Sequence, residues 1–118
     1  SEIEGNFSIN EFDILIYNFC LYLSDDEDLT KIIFEADRVL KNNGVIFILD
    51  FFHKQTKYIK YVHHKGIFSR KMDYSKLFLW HPKYELIKIK KFKHKNRNIH
   101  FKDKDLNTTS LHIIRRNI

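Results

Sequence analysis

The sequence predicts an α/β fold built around two parallel strands, and three observations support this. Two nearly continuous apolar runs, Phe12 to Phe19 (FDILIYNF) and Val45 to Phe51 (VIFILDF), flank an amphipathic helix pattern over residues 25–41. Two buried strands joined by a helical crossover run parallel, with a right-handed connection. Beyond them lie one more helix pattern and a C-terminal antiparallel strand pair, so the whole reads as half of a doubly wound sheet.

The first run is rich in β-branched and aromatic residues with little alternation, as expected of a strand covered on both faces in the centre of a sheet. The helix begins at Ser24, which with Glu27 forms a capping box, while Asp25, Asp26 and Asp28 place negative charge at the positive end of its dipole. Leu29, Ile32, Ile33, Ala36, Val39 and Leu40 follow the spacing of one apolar face. Arg38 and Lys41 sit where cations are favoured, and Asn42, Asn43 and Gly44 can supply the left-handed residue that stops the helix. The strand at 45–51 then follows at once.

From Phe52 to His81 the chain is aromatic and basic, with a helix expected over Asp73 to Trp80 and closed by Pro82. Tyr84 to Phe92 and Thr109 to Arg115 read as strands joined by a long basic loop, antiparallel by their simplest connection. No Pro- or Gly-rich linker divides the 118 residues, so residues 1–118 are expected to form a single, partial domain.

With 43% hydrophobic and 15% aromatic residues the chain has the apolar material for a core, which argues against disorder. Its single cysteine, Cys20, excludes an internal disulfide framework and any site built of several thiolates. No run approaches the roughly 20 apolar residues of a membrane span, and the acidic first residues are unlike a signal peptide. The expectation is a cytoplasmic protein with no membrane partner. Charge is unevenly divided: residues 1–50 hold 3 Lys/Arg against 11 Asp/Glu, a balance of −8, and residues 51–118 hold 18 against 4, a balance of +14. A basic half of this kind suits an anionic partner, or is simply a solvated surface.

The stretch EFDILIYNFCLYLSDDEDLTKIIFEADRVLKNNGVIFILDF, Glu11 to Phe51, resembles the C-terminal half of the Rossmann-like domain of class I S-adenosylmethionine-dependent methyltransferases. In that family a strand of the form FDLVI leads to a helix ending in RVLKPGG, then to a strand ending near an acidic residue and a closing antiparallel hairpin. Here Asn42 and Asn43 replace the Pro and first Gly of the turn, and Asn tolerates the left-handed region. Nothing upstream resembles the strand, glycine-rich loop and acidic residue that hold the cofactor in the family, and the three glycines, Gly5, Gly44 and Gly66, are too widely spaced to replace them.

The resemblance implies strands four to seven of a seven-stranded sheet. It also implies S-adenosylmethionine as cofactor and methyl transfer to a small-molecule or sugar-like acceptor. Activity is then expected only with the cofactor half, supplied as a missing N-terminal segment or a second chain that completes the sheet. The free flank of the first strand would be an unprotected edge.

By the same resemblance Asn18 and Phe19, leaving the first strand, face the cofactor, with Leu21 and Tyr22 next. Tyr22, Asp50, His53 and Arg70 are then substrate-side residues, and His63, His64 and Tyr74 are candidates for a general base if the acceptor is a hydroxyl. Each has a plainer alternative. Phe19 and Leu21 suit a core, Asp50 can hydrogen-bond a loop amide, Cys20 suits a small buried hydrophobe, and the histidines suit a surface. Adjacent His63 and His64 diverge on any regular backbone, so no metal site is expected. Two other classes compete with the enzyme: a non-catalytic remnant serving as an interaction module, and a nucleic-acid-binding module stacking bases on Tyr58, Tyr61, Phe68 and Trp80. No recognised nucleic-acid motif supports the latter.

Overall fold

The structure is a computed structural model, and it describes residues 7–60, 66–93, 106 and 108–117. Strand β1 (Phe12–Asn18) leads into helix α1 (Asp26–Val39) and strand β2 (Leu40–Phe51). A short hairpin, β3 (Lys57–Lys60) and β4 (Phe68–Lys71), precedes the single-turn helix α2 (Lys76–Leu79) and strands β5 (Tyr84–Lys93) and β6 (Thr108–Arg116).

The main sheet has the order β1-β2-β6-β5. β1 and β2 pair parallel, while β6 runs antiparallel to both β2 and β5. β5 therefore points the same way as β1 and β2, so the carboxyl ends of three strands lie at one end of the sheet.

Helix α1 is capped by Asp25, whose carboxylate accepts from the Asp28 amide at 2.8 Å. Ser24, the expected cap, instead donates its hydroxyl to the Cys20 carbonyl. The helix ends at Val39 because Leu40 already has extended geometry, three residues before the left-handed Asn43 (φ 64°). The left-handed residue thus serves a bulge at the start of β2, where pairing jumps from Phe12↔Leu40 to Ile14↔Val45. Gly44 is required there by packing, since a Cβ would come within 2.6 Å of the Leu40 side chain and 2.8 Å of the Lys41 carbonyl oxygen.

The register sorts the strand residues onto two faces. Leu15 and Tyr17, Ile46 and Ile48, and Ile114 share the face on which Leu29, Ala36 and Leu40 pack, and this face forms the core. Ile14, Ile16, Val45, Phe47, Leu49, Leu111 and Ile113 alternate onto the opposite face. There Ile14 is 54% and Ile16 70% exposed. The expectation of a first strand buried on both sides is therefore corrected. β1 is an edge strand of the described sheet, and only its α1-facing side is covered.

The hairpin β3–β4 was not expected, and the helix expected over 73–80 shrinks to 76–79. Among the described residues no helix is long and apolar enough to cross a membrane.

Candidate functional site

Ligands of open α/β sheets bind beyond the carboxyl ends of the parallel strands. In this chain that end is formed by the β1–α1 loop, the end of β2 and the strand β4 that crosses beside them. Asn18 leaves β1 exposed, and Phe19 turns the chain with a left-handed backbone (φ 50°) while its amide donates to the Leu49 carbonyl at 2.8 Å. The Phe19 ring packs on Phe51 with centroids 5.3 Å apart, and Tyr22 meets Phe51 edge-on at 4.9 Å. Three aromatic rings from the two strand ends thus form one cluster.

Asp50 fixes the loop. Fully buried at the end of β2, it accepts from the Leu21 amide through Oδ2 (2.9 Å) and from the Phe51 amide through Oδ1 (2.7 Å). Burial pushes its carboxyl up from 3.8 to about 6, against the pull of the surrounding amides and of Arg70. Both oxygens are occupied by backbone, which is the loop role the sequence left open for it.

Arg70 completes the strap. From β4 its guanidinium donates to the carbonyls of Leu21 (2.9 Å) and Ser24 (2.7 Å) and to Asp26 (2.9 Å), while its own amide donates to the Tyr22 carbonyl. The side chain is buried and held by the chain itself. It also borders a cleft of about 440 Å³ between the hairpin and the start of α1. Tyr74 is buried beneath it, donating its hydroxyl to the Arg70 carbonyl at 2.7 Å, and burial raises its pKa well above the ordinary phenol range. A phenol so held is not poised to take a proton.

His53 is buried too, with Nδ1 accepting from the Gln55 amide at 3.0 Å. It lines a second cleft of about 260 Å³ at the carboxyl ends of β2 and β5, together with Phe52, Lys54, Lys91 and Phe92. Candidates His63 and His64 lie outside the described residues. Cys20 is exposed, contrary to the buried role expected for it, because the β1–α1 loop turns it outward. Its thiol is pushed up by partial burial and by the Asp50 charge, which opposes nucleophilic chemistry.

Two features escaped the sequence. Lys71 is buried with its ammonium 4.3 Å from the Phe51 ring centroid and donating to the Leu106 carbonyl, and burial lowers its pKa. Ser110, His112 and Asp73 converge in the core, with Ser110 Oγ 3.2 Å from His112 Nδ1 and Asp73 Oδ1 3.3 Å from Nε2. Ser110 is 3% exposed, and among the described residues His112 Nε2 is buried without a hydrogen-bond partner despite its nearness to Asp73, so the trio lacks the hydrogen-bonded chain that would activate a serine nucleophile. Ser110 and His112 alternate onto one face of β6, and Asp73 reaches them only through the fold, from 39 residues before His112 in the chain.

A sheet of this order, with its aromatic and carboxylate-fixed loops at the strand ends, has the fold of the S-adenosylmethionine-dependent methyltransferases. A methyltransferase of this kind from Methanosarcina mazei superposes with a TM-score of 0.70 at 12% identity, over 98% of this chain and 64% of that one. Burkholderia thailandensis 1,6-didemethyltoxoflavin-N1-methyltransferase, solved with 1,6-didemethyltoxoflavin and S-adenosylhomocysteine bound, gives 0.71 at 12% identity over 98% and 48%. An S-adenosylmethionine-dependent methyltransferase from Mesorhizobium loti gives 0.61 at 9% identity over 98% and 67%. The chain therefore spans between about half and two thirds of the length of these neighbours. No protein-family model and no curated protein matches the sequence.

Proposed function

We propose that this chain supplies the acceptor-side half of an S-adenosylmethionine-dependent methyltransferase that acts on a small molecule. The observation that carries the reading is the loop from Asn18 to Tyr22, set at the carboxyl end of β1 by Asp50 and Arg70 and backed by Phe51. In this reading Asn18 and Phe19 form one wall for the cofactor, and Tyr22 and the cleft beside His53 and Lys54 face the acceptor. Asp50 and Arg70 hold the wall in place rather than touch substrate.

The fit to the cofactor is partial. The exposed Asn18 amide and the Phe19 ring offer a polar and a flat surface, while the one buried carboxylate at the site, Asp50, is spent on backbone amides and is not free for ribose hydroxyls. The remaining contacts come from elements that pair with the open edge of β1 and cover Ile14 and Ile16, whether further chain or a second polypeptide. Bound S-adenosylmethionine supplies an already electrophilic methyl carbon, so the protein's task is to align the acceptor and exclude water. No acid–base dyad is needed.

The test is a titration of the ¹⁵N-labelled chain with S-adenosylhomocysteine to millimolar levels, a regime that detects binding of only about −4 kcal/mol. Amide shifts concentrated at residues 18–22 and 50–53 are expected. Shifts confined to other parts of the molecule, or none at all, would overturn the assignment of these loops.

A further inference from the structure

A second site lies elsewhere on the molecule. Between α1 and the α2 turn is a cleft of about 590 Å³, within the range of roughly 300–1,000 Å³ typical of small-molecule sites. It shares no lining residue with the strand-end site, so it stands independently of the function proposed above.

We propose that this cleft binds a planar aromatic anion. Its walls are Leu29, Ile33 and Phe34 from α1 and Leu77 and Trp80 from the α2 turn, over a floor in which Phe78 and Tyr84 meet edge-on at 5.3 Å. Leu29 and Ile33 are four apart on the helix, with Phe34 beside them, so one stripe of α1 faces the cleft. Phe34 and Trp80 are 71% and 75% exposed, two large flat surfaces held in water at the mouth of an apolar cavity. A flat ring between them would remove apolar area from water and stack on both.

The charge of the ligand follows from what is already spent. The carboxylate at the cleft, Asp37, is paired with Lys83 at 2.6 Å and accepts from the Tyr84 hydroxyl, and its pKa is lowered by these partners despite burial. His81 Nδ1 accepts from the Lys83 amide at 3.1 Å, which leaves Nε2 as the donor nitrogen. Lys76 lines the same cleft and has no ion pair among the described residues. The unspent polar groups are therefore a cation and a donor, which suit a carboxylate or sulfonate and disfavour a cationic ligand.

Trp80 is the only tryptophan in the chain, so its fluorescence reports the cleft directly. The full chain is titrated with 1-anilinonaphthalene-8-sulfonate, and separately with the neutral N-phenyl-1-naphthylamine, following quenching of Trp80 and energy transfer to the dye. Saturable quenching is expected, with the sulfonate about fivefold tighter than the neutral dye, as one partly exposed cation can provide. Phe34→Ala should weaken both dyes. Lys76→Glu should abolish the preference for the anion, and Lys76→Gln should reduce it. These positions are exposed, so urea unfolding of each variant is expected to match the parent and to separate loss of binding from loss of fold. Equal affinity for the two dyes would overturn the proposal, as would titrations unchanged by both Phe34→Ala and Lys76→Glu, which would place the dye on the uncovered sheet face. So would Trp80 emission that depends on protein concentration without dye, which would mean that a second copy fills the cleft.

Discussion

Asp50 offers the sharpest test of how the strand-end loop is held. Its folded-state pKa is raised from 3.8 to about 6, so the folded chain binds the proton more tightly than the unfolded one. The stabilisation from protonation is fully present below about pH 4 and is lost as pH rises through about 6. At 1.36 kcal/mol per unit, the ionised carboxylate weakens the fold by about 3 kcal/mol at neutral pH. Asp50→Asn keeps the shape and an acceptor for the Leu21 amide but turns an NH2 group toward the Phe51 amide, where the protonated acid keeps a hydroxyl oxygen that can accept, a loss of about 1–2 kcal/mol relative to the protonated acid. The variant should therefore be less stable than the native chain by about 1–2 kcal/mol at pH 4 and more stable by a similar amount at pH 7.5. The assay is urea unfolding of both proteins by circular dichroism from pH 4 to 8, taking the difference at each pH. Only the difference is informative, because His112 contributes with the opposite sign: burial lowers its pKa, so its contribution is lost as pH falls. A difference that stays flat from pH 4 to 8, or that changes in the other direction, would refute the assignment of Asp50 as a buried, amide-bound carboxylate.

Other positions carry their own outcomes. Arg70→Lys cannot span the Leu21 and Ser24 carbonyls with one ammonium, and should lose about 3 kcal/mol in urea unfolding and accelerate amide exchange across residues 19–24. Asp26 is 76% exposed and contributes little of this, so a loss under 1 kcal/mol would mean that the two carbonyl bonds are not what holds the loop. Gly44→Ala forces a Cβ against the Lys41 carbonyl and should lower stability by about 1–3 kcal/mol by the same assay; an unchanged midpoint would show that the bulge can relax. The double substitution Ile14→Lys, Ile16→Lys should leave stability within about 0.5 kcal/mol, because both residues are exposed. By light scattering it should also suppress self-association of the chain through its uncovered sheet face, and an oligomeric state identical to the native one would rule that face out as the sticky surface.

The parallel unit was legible because its signals agree. The 3.6-residue period of α1, the acidic first turn and the two apolar runs all demand one strand–helix–strand packing, and β1, α1 and β2 stand where those signals place them. The hairpin β3–β4 was invisible for the opposite reason. The buried side chains of β4 are Ser69, Arg70 and Lys71, so no alternation of apolar and polar residues marks it as a half-buried strand. At the site, the left-handed Phe19 and the reach of Asp50 to Leu21 depend on a contact across 29 residues that no local pattern encodes. Of the predicted site residues, Phe19, Tyr22 and Asp50 meet at the strand ends, whereas Tyr74 spends its hydroxyl and Arg70 its two terminal guanidinium nitrogens on the chain itself, with Arg70 Nε buried without a partner among the described residues.

The misjudged surroundings of β1 carry a physical argument of their own. Ile14 and Ile16 face away from α1 beside Val45, Phe47, Leu49, Leu111 and Ile113, an apolar surface spread over three adjacent strands. Fully covering one such side chain is worth about 1.5–3 kcal/mol, and an uncovered sheet face of this composition invites association. A strand that needed only one covered face would carry polar residues on the other, as antiparallel sheets commonly do. The residues of β1 are instead those of a strand packed on both sides, paired with an edge that has open backbone groups. Sequence and structure are reconciled if a further strand pairs with this edge and its partners cover this face.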